Sequence, residues 1–154
     1  EENLLPIALD ESLIGVHALT DRMRLLDHVR PQHVVLKPSL IGGLDAATVW
    51  SRLAELRGMG WWATSALESN VGLNAIAQWV AVQPALRGET PPLPQGLGTG
   101  GLFTNNIPGP MTVQDGTLVT TSQAPRNETM WRTALEGAVR HAPGCGCGVN
   151  HGDA

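Results

Sequence analysis

One lysine and two neighbouring acids are the residues of this sequence best suited to chemistry. Lys37 is the single lysine among ten basic residues, and it ends an apolar stretch at 33–37. Asp10 and Glu11 come at the end of another apolar stretch, 6–10. Carboxylates bind Mg²⁺, and a buried lysine can act as an acid or base or offer a cation. Together they suit proton abstraction next to a carboxylate, whose enediolate intermediate needs a divalent cation.

Four short apolar stretches that end in polar residues predict the strands that position these side chains. Successive strand ends are 27, 28 and 33 residues apart, which is the size of one βα unit. A closed (β/α)8 barrel has eight such units and typically about 250 residues. The sequence therefore predicts an α/β fold that is either half of such a barrel or a small open sheet. The predicted strands are residues 6–10, 33–37, 61–65 and 95–99.

Amphipathic patterns between the strands predict the helices. They cover residues 19–30, 44–57 and 71–82, and Val49, Leu53 and Leu56 share one face of the second helix. Trp61 and Trp62 are expected to be core residues that face the helices. A hairpin is predicted over 111–121, followed by one further helix over 127–141 and a tail without fixed structure.

The alternation of side chains along a strand orients the two charged strand ends. If Lys37 points to the barrel interior, Val35 does so too, and Val34 and Leu36 face the helices. Asp10 obeys the same rule on its own strand. Active sites of (β/α)8 barrels lie at the carboxyl ends of the strands, so both charges are expected at the mouth of one site.

The stretches that end in these residues resemble consecutive barrel strands of the enolase superfamily. Residues 7–13, 34–43 and 63–73 resemble its fifth, sixth and seventh strands. Residues 95–100, followed by 103–107, resemble the eighth strand and C-terminus of o-succinylbenzoate synthases. The resemblance implies that residues 1–122 form the C-terminal half of a (β/α)8 barrel, and that 123–154 are an extension.

The resemblance also implies a role for each residue at the strand ends. Asp10 matches a Mg²⁺ ligand, and Glu11 matches its acidic neighbour, which supports the ligand from the second shell of the metal. Lys37 matches the sixth-strand lysine that stabilises the enediolate. Six further residues are expected to contact a small carboxylate substrate, namely Ser39, Thr64, Ser65, Glu68, Gly98 and Thr99.

The implied reaction is a lyase reaction of menaquinone biosynthesis. A succinyl-hydroxy-cyclohexadiene carboxylate is dehydrated to 2-succinylbenzoate with the help of Mg²⁺. The family's proton-abstracting lysine, two more metal-binding carboxylates and an N-terminal capping domain have no counterpart in this sequence. We therefore expect a fragment that is inactive without the missing N-terminal half, whether on the same or a separate chain.

Two other functions remain open from the sequence. An N-acylamino acid racemase or dipeptide epimerase of the same superfamily shares Asp10 and Lys37. A non-catalytic half-barrel that associates with a partner is the alternative outside enzymology. Simpler structural roles also exist, because Asp10 could cap a helix, Lys37 could be solvated on an edge strand, and Glu68 could lie in the first turn of the following helix.

Composition excludes several classes of partner. A net charge of −4, with 42% hydrophobic and 16% charged residues, is typical of a globular protein and argues against nucleic-acid or anionic-membrane binding. No apolar run approaches the roughly 20 residues needed to cross a bilayer, so a cytoplasmic protein is expected. Four residues near the C-terminus could ligate zinc, but their spacing and surroundings favour a tail, and these are His141, Cys145, Cys147 and His151.

Overall fold

A three-stranded parallel sheet with helices packed on it forms the centre of the computed structural model, which describes residues 5–87, 93–104 and 106–120. The strands lie in the order β1-β2-β3, and a separate two-stranded hairpin follows them in the chain. In chain order the elements are β1 (Ala8–Leu9), α1 (Leu19–Val29), β2 (His33–Leu36), α2 (Gly43–Glu55), β3 (Gly60–Ala63), α3 (Asn70–Arg87), β4 (Met111–Gln114) and β5 (Thr117–Thr120).

Each strand is connected to its parallel neighbour through a helix, which confirms the predicted α/β fold of βα units. Leu9 pairs with Val34, and Val34 pairs with Trp61, so the three strands are in register from one edge to the other. In such a sheet the carboxyl ends of all strands meet at one edge. The side chains that follow β1, β2 and β3 are therefore brought together.

The composition of the apolar core agrees with the alternation predicted for β2, because Val34 and Leu36 belong to this core whereas Val35, although it is 7% exposed, does not. Val34 and Leu36 are fully buried in the core that the helices cover, and Trp61 joins them from β3 at 1% exposure. Trp62 lies on the opposite face, where its ring packs 5.7 Å from the ring of His33. The prediction that Trp62 faces the helices is wrong, because adjacent residues of one strand point to opposite faces.

The second helix buries a different face from the one predicted. Leu53 is 8% exposed, but Val49 is 37% and Leu56 is 81% exposed. Leu56 is the C-cap residue that follows Glu55, and its amide still donates to the Arg52 carbonyl oxygen at 3.0 Å. The buried face consists of Ala47, Trp50, Ser51, Leu53 and Ala54.

The first strand is shorter and less buried than the predicted strand over 6–10. Only Ala8 and Leu9 pair with β2, and Ile7 is 40% exposed. Within the described residues β1 has a neighbour on one side alone. An edge position leaves half of the strand without a packing partner, which explains the exposure.

The fourth predicted strand, 95–99, is reduced to one parallel bridge between Gly96 and Thr64. The Gly96 amide donates to the Ala63 carbonyl oxygen at 2.8 Å, and the Ser65 amide donates to the Gly96 carbonyl oxygen at 3.1 Å. The chain then enters a short 3₁₀ helix, Thr99–Gly101. Glycines offer no side chain to pack against a neighbouring strand, and this shortens the ladder.

The predicted hairpin is confirmed as β4 and β5. Its turn residues, Asp115 and Gly116, have φ angles of 49° and 75°, as a two-residue type I′ turn requires. The predicted helix over 127–141, the tail and the four possible zinc ligands lie outside the described residues. Among the helices that are described, none has the length and apolar character that crossing a membrane requires.

Candidate active site

The carboxylates of Asp10 and Glu11 both contact the ammonium group of Lys37. The Lys37 Nζ atom lies 2.8 Å from Asp10 Oδ2 and 2.6 Å from Glu11 Oε1. The Lys37 side chain is only 17% exposed, whereas those of Asp10 and Glu11 are 35% and 68% exposed. Asp10 follows β1 and Lys37 follows β2, so the contact forms at the carboxyl edge of the sheet, as predicted.

Local backbone structure holds both charged residues at this edge. The Asp10 carbonyl oxygen accepts from the Leu13 amide at 3.1 Å, and fully buried Leu13 anchors the short 3₁₀ helix Glu11–Leu13. The Asp10 side chain makes no capping hydrogen bond to that helix. A capping role for the Asp10 side chain is thus excluded by the geometry. After the second strand, the Lys37 carbonyl oxygen accepts from the Leu40 amide at 2.8 Å, which turns the chain out of β2.

The contacts with the two carboxylates determine the charge of Lys37. Hydrogen bonds to Asp10 and then to Glu11 raise the pKa of Lys37 above its usual range. The same contact with Lys37 lowers the pKa of Glu11. Lys37 is therefore an ammonium ion at neutral pH, which suits a fixed cation better than a general base.

A second group of predicted residues joins the loops that follow β2 and β3. The Ser39 hydroxyl donates a hydrogen bond to Glu68 Oε1, and the Ala66 amide donates to Glu68 Oε2 at 2.8 Å. Glu68 precedes α3, which begins at Asn70, so it does not lie in the first turn of that helix. Leu67, which lies between Ala66 and Glu68, has a φ of 65°, a left-handed conformation that is unusual for leucine.

Opposing effects act on the Glu68 carboxylate. Burial raises its pKa, but hydrogen bonds from Ser39, from its own backbone and from Ser65 and Ala66 together outweigh the burial. The net result is a pKa below the usual range of a glutamate. Glu68 is thus an anion whose oxygens hold the two loops together.

A third group connects the loop after β3 with the segment after the bridge at Gly96. Thr99 Oγ1 donates to Ser65 Oγ at 2.6 Å, and Ser65 Oγ also accepts from the Leu67 amide at 2.8 Å. Thr64 Oγ1 donates to the Gly96 carbonyl oxygen at 3.2 Å. Ser65 is 7% exposed, so its hydroxyl serves the structure of these loops.

Gly98, the last of the nine predicted site residues, is exposed. It lies beside two cavities of about 500 Å³ and about 760 Å³ between α3 and the hairpin. Met111 and Leu118 also line both cavities, and Asn70 lines the smaller one. Lys37, Asp10 and Glu11 are not among the residues that line these two cavities. Asn70 and Met111 were not predicted from the sequence, because no local pattern indicates that the hairpin folds back beside α3.

The donor set at Asp10 is compatible with magnesium. Lys37 binds Oδ2 of Asp10, which leaves the second carboxylate oxygen for a cation. Within the described residues no cluster of three or more His, Cys, Asp or Glu side chains could hold a metal ion. Mg²⁺ is commonly bound by one or two carboxylates, with water and substrate oxygens completing its octahedron. Asp10 fits one such position.

Comparison with known sequences identifies relatives that are longer than this chain. No protein-family model matches it. It is 54% identical over 114 residues to o-succinylbenzoate synthase of Desulfotalea psychrophila, a match that covers 74% of this chain and 29% of the relative. It is 34% identical over 110 residues to Protein PHYLLO, chloroplastic, of Arabidopsis thaliana, covering 64% of this chain and 6% of that protein.

Comparison with solved structures also identifies relatives that are longer than this chain. The crystal structure of MenC from Desulfotalea psychrophila matches with a TM-score of 0.68 and 52% identity, over 77% of this chain and 31% of that one. The L-Ala-D/L-Glu epimerase of Bacillus subtilis has a TM-score of 0.61 over the same shares of the two chains, and its 20% identity shows the fold alone. A muconate lactonizing enzyme has a TM-score of 0.59 and 25% identity, over 73% of this chain and 29% of that one.

This chain thus spans under a third of each of these relatives, in keeping with part of a (β/α)8 barrel. By its sequence identity and its fold the chain belongs to the enolase superfamily, in which its sequence resembles o-succinylbenzoate synthase.

Proposed function

We propose that this chain is the part of an o-succinylbenzoate synthase that carries Asp10, Glu11 and Lys37. The complete enzyme dehydrates a succinyl-hydroxy-cyclohexadiene carboxylate to 2-succinylbenzoate in the cytoplasmic synthesis of menaquinone. The observation that carries the proposal is the Lys37 ammonium group, which two carboxylates hold at the mouth of adjacent parallel strands. The 54% identity to a synthase supports this choice of reaction.

Lys37 stabilises the negative charge that develops on the substrate. Removing a proton next to a carboxylate moves charge onto the carboxylate oxygens, and a fixed cation nearby lowers the cost of that step. The raised pKa of Lys37 keeps it charged, and its low exposure limits screening by water. The resemblance to the family implies that a second lysine removes the proton, and because Lys37 is the single lysine of this sequence, that base comes from a residue outside it.

Asp10 holds Mg²⁺ in this proposal, with Glu11 as its supporting neighbour. The ion, when bound, supplies further positive charge for the enediolate. Asp10 and Glu11 both accept hydrogen bonds from the Lys37 ammonium group, and these bonds restrict the movement of all three side chains. Asp10 can therefore offer its free oxygen in one orientation.

The remaining predicted residues divide into substrate contacts and supports. Gly98 is exposed, so its backbone can approach the substrate, and Thr64 binds the carbonyl oxygen of Gly96, two residues before it. Ser65, Ser39 and Glu68 bind other parts of the protein, and we assign them to holding the loops. The further metal ligands and the cap over the site belong to a segment outside this sequence, on the same or another polypeptide.

The alternative of a racemase or epimerase has less support. The epimerase neighbour is 20% identical and shares the fold alone, whereas the synthase is 54% identical. Both reactions use a carboxylate and a lysine at these strand ends, so activity has to separate them. A half-barrel without catalysis has no ligand indicated by the described residues.

A chimera tests the proposal. The part of the Desulfotalea psychrophila enzyme that precedes its match is joined to residues 5–120 of this chain. We expect Mg²⁺-dependent formation of 2-succinylbenzoate by the chimera and none by this chain alone. Racemisation of N-succinylamino acids without dehydration would favour the alternative, and a folded chimera that does neither would contradict the proposal.

A further inference from the structure

Asn106 caps helix α3 from a distant point in the chain. The Asn70 backbone amide donates to Asn106 Oδ1 at 2.9 Å, although the two residues are 36 positions apart. Asn70 is the first residue of α3, and the first amides of a helix have no partner within it. Asn106 therefore supplies an acceptor that the sequence next to the helix does not.

The same side chain also holds the segment that contains Gly98 and Thr99. Asn106 Nδ2 donates to the Gly100 carbonyl oxygen at 2.9 Å, one residue beyond Thr99. Thr99 itself is bound to Ser65. The short 3₁₀ helix Thr99–Gly101 is thus attached at two points, one to the loop after β3 and one to Asn106.

Close packing around Asn70 leaves this arrangement little freedom. Asn70 Nδ2 donates to the Ile107 carbonyl oxygen at 2.6 Å. A Cβ atom on Gly100 would collide with the Asn70 amide oxygen, and one on Gly109 would lie 3.0 Å from the Asn70 Cβ atom. A side chain at Gly100 would displace the Asn70 amide, and one at Gly109 would crowd Asn70, so both glycines favour the close approach of this segment to α3.

From these contacts we infer that Asn106 is a positioning residue, which fixes Gly98 and Thr99 at the wall of the substrate site through Gly100. The assignment of that wall rests on the proposed function, but the contacts themselves do not. Asn106 makes two separable bonds: its oxygen caps α3, and its amide nitrogen holds Gly100. A substitution that keeps the first and removes the second isolates the positioning role.

Asn106→Asp is that substitution. The aspartate keeps an acceptor for the Asn70 amide, which a helix N-terminus favours, but it places an oxygen against the Gly100 carbonyl. The Leu102 amide, which donates to the Thr99 carbonyl oxygen at 3.1 Å, reports on the 3₁₀ helix. In this chain we expect hydrogen exchange at Leu102 to become about tenfold faster, the effect of one lost hydrogen bond. Exchange at Asn70 is expected to be unchanged.

Two further variants complete the exchange experiment. Asn106→Ala removes both bonds, so the amides of Asn70 and Leu102 should both exchange faster. Thr104→Ala is the control, because Thr104 is exposed and its side chain makes no hydrogen bond within the described part of the chain. Unchanged exchange at Leu102 in Asn106→Asp would overturn the inference.

The same variant in the active chimera tests the consequence for substrate. KM is expected to rise about tenfold while kcat and the melting temperature hold, a split that loss of the cap alone would not produce. An unchanged KM would also overturn the inference. A parent chimera without activity would contradict the proposed function instead, and the exchange at Leu102 would then decide the role of Asn106.

Discussion

The Ser39 hydroxyl donates a hydrogen bond to the carboxylate of Glu68, 29 residues later in the chain. The bond connects the loop after β2, which begins at Lys37, with the loop after β3, which contains Thr64 and Ser65. Two walls of the candidate site are therefore joined by a contact that one proton can weaken, since a protonated carboxyl accepts hydrogen bonds less well.

Glu68→Gln is expected to reduce the dependence of stability on pH. The pKa of Glu68 is lowered in the folded chain, so its contribution to stability is present above its unfolded value, about 4.3, and is lost as the pH falls through its folded value. The melting temperature of the wild type should thus fall more steeply below about pH 5 than that of the variant. Circular dichroism melts from pH 3 to pH 6 measure this, and parallel curves would refute it.

Lys37→Ala is expected to raise the pKa of Glu11 toward the usual range of a glutamate. Lys37 lowers that pKa through a hydrogen bond and through its charge. Carbon-detected NMR titration of the Glu11 carboxyl group measures the change. Arg24→Ala is the control, because Arg24 pairs with Asp21 on α1 and leaves Glu11 untouched. A Glu11 pKa that ignores Lys37 would show that the ion pair does not form in solution.

The contribution of Lys37 to stability is expected to be lost at high pH. Its pKa is raised by Asp10 and Glu11, so its stabilising effect is complete below its unfolded value of about 10.4 and is lost as the pH rises through its folded value. The melting temperature of the wild type should therefore approach that of Lys37→Ala above about pH 11. A gap that stays constant from pH 8 to pH 12 would contradict this.

In the chimera, Lys37→Ala is expected to lower kcat by about 10² to 10³, the cost of removing one electrostatic stabiliser of a developing oxyanion. The melting temperature should fall by only a few degrees, since partly exposed ion pairs contribute at most about 1 kcal/mol. Arg52→Ala, on the exposed side of α2, controls for loss of a positive charge. Wild-type turnover in the Lys37 variant would remove this residue from the mechanism.

Leu53→Ala and Leu56→Ala form a matched pair on one helix and its end. Leu53 is 8% exposed and should cost about 2–5 kcal/mol of unfolding free energy, because a cavity replaces its side chain. Leu56 is 81% exposed and should change that free energy by less than about 0.5 kcal/mol. Urea denaturation of both variants measures the difference, and equal costs would contradict the observed end of α2.

The placement of Asp10 and Lys37 at one edge of the sheet could be predicted because it depends on regular geometry, whereas the ion pair between them was not predicted. Strand spacing brings the ends of parallel strands to one edge, and alternation decides which side chains point inward. The bond between Ser39 and Glu68 could not be predicted in the same way, since it joins two loops whose paths follow no repeat.

Errors at the elements themselves also have a physical origin. Val49, Leu53 and Leu56 were grouped on one face because apolar spacing alone does not say which face of α2 packs against the sheet. The predicted fourth strand, 95–99, is longer than the single bridge that the structure contains. Apolar Leu97 suggests a strand, but the glycines on both sides of it have no side chains to pack against a neighbouring strand. The role of Asn106 was missed because its partners, Asn70 and Gly100, lie in other elements.

The strict alternation along β2 has a consequence for changes in chain length. Val34 and Leu36 face the helices and Lys37 follows on the other face, so deleting one residue within β2 would exchange the two faces. The ammonium group would be forced among fully buried apolar side chains, and an apolar residue would take its place between the carboxylates. Loss of a single codon in β2 would thus disrupt the apolar core and displace the reactive cation at the same time.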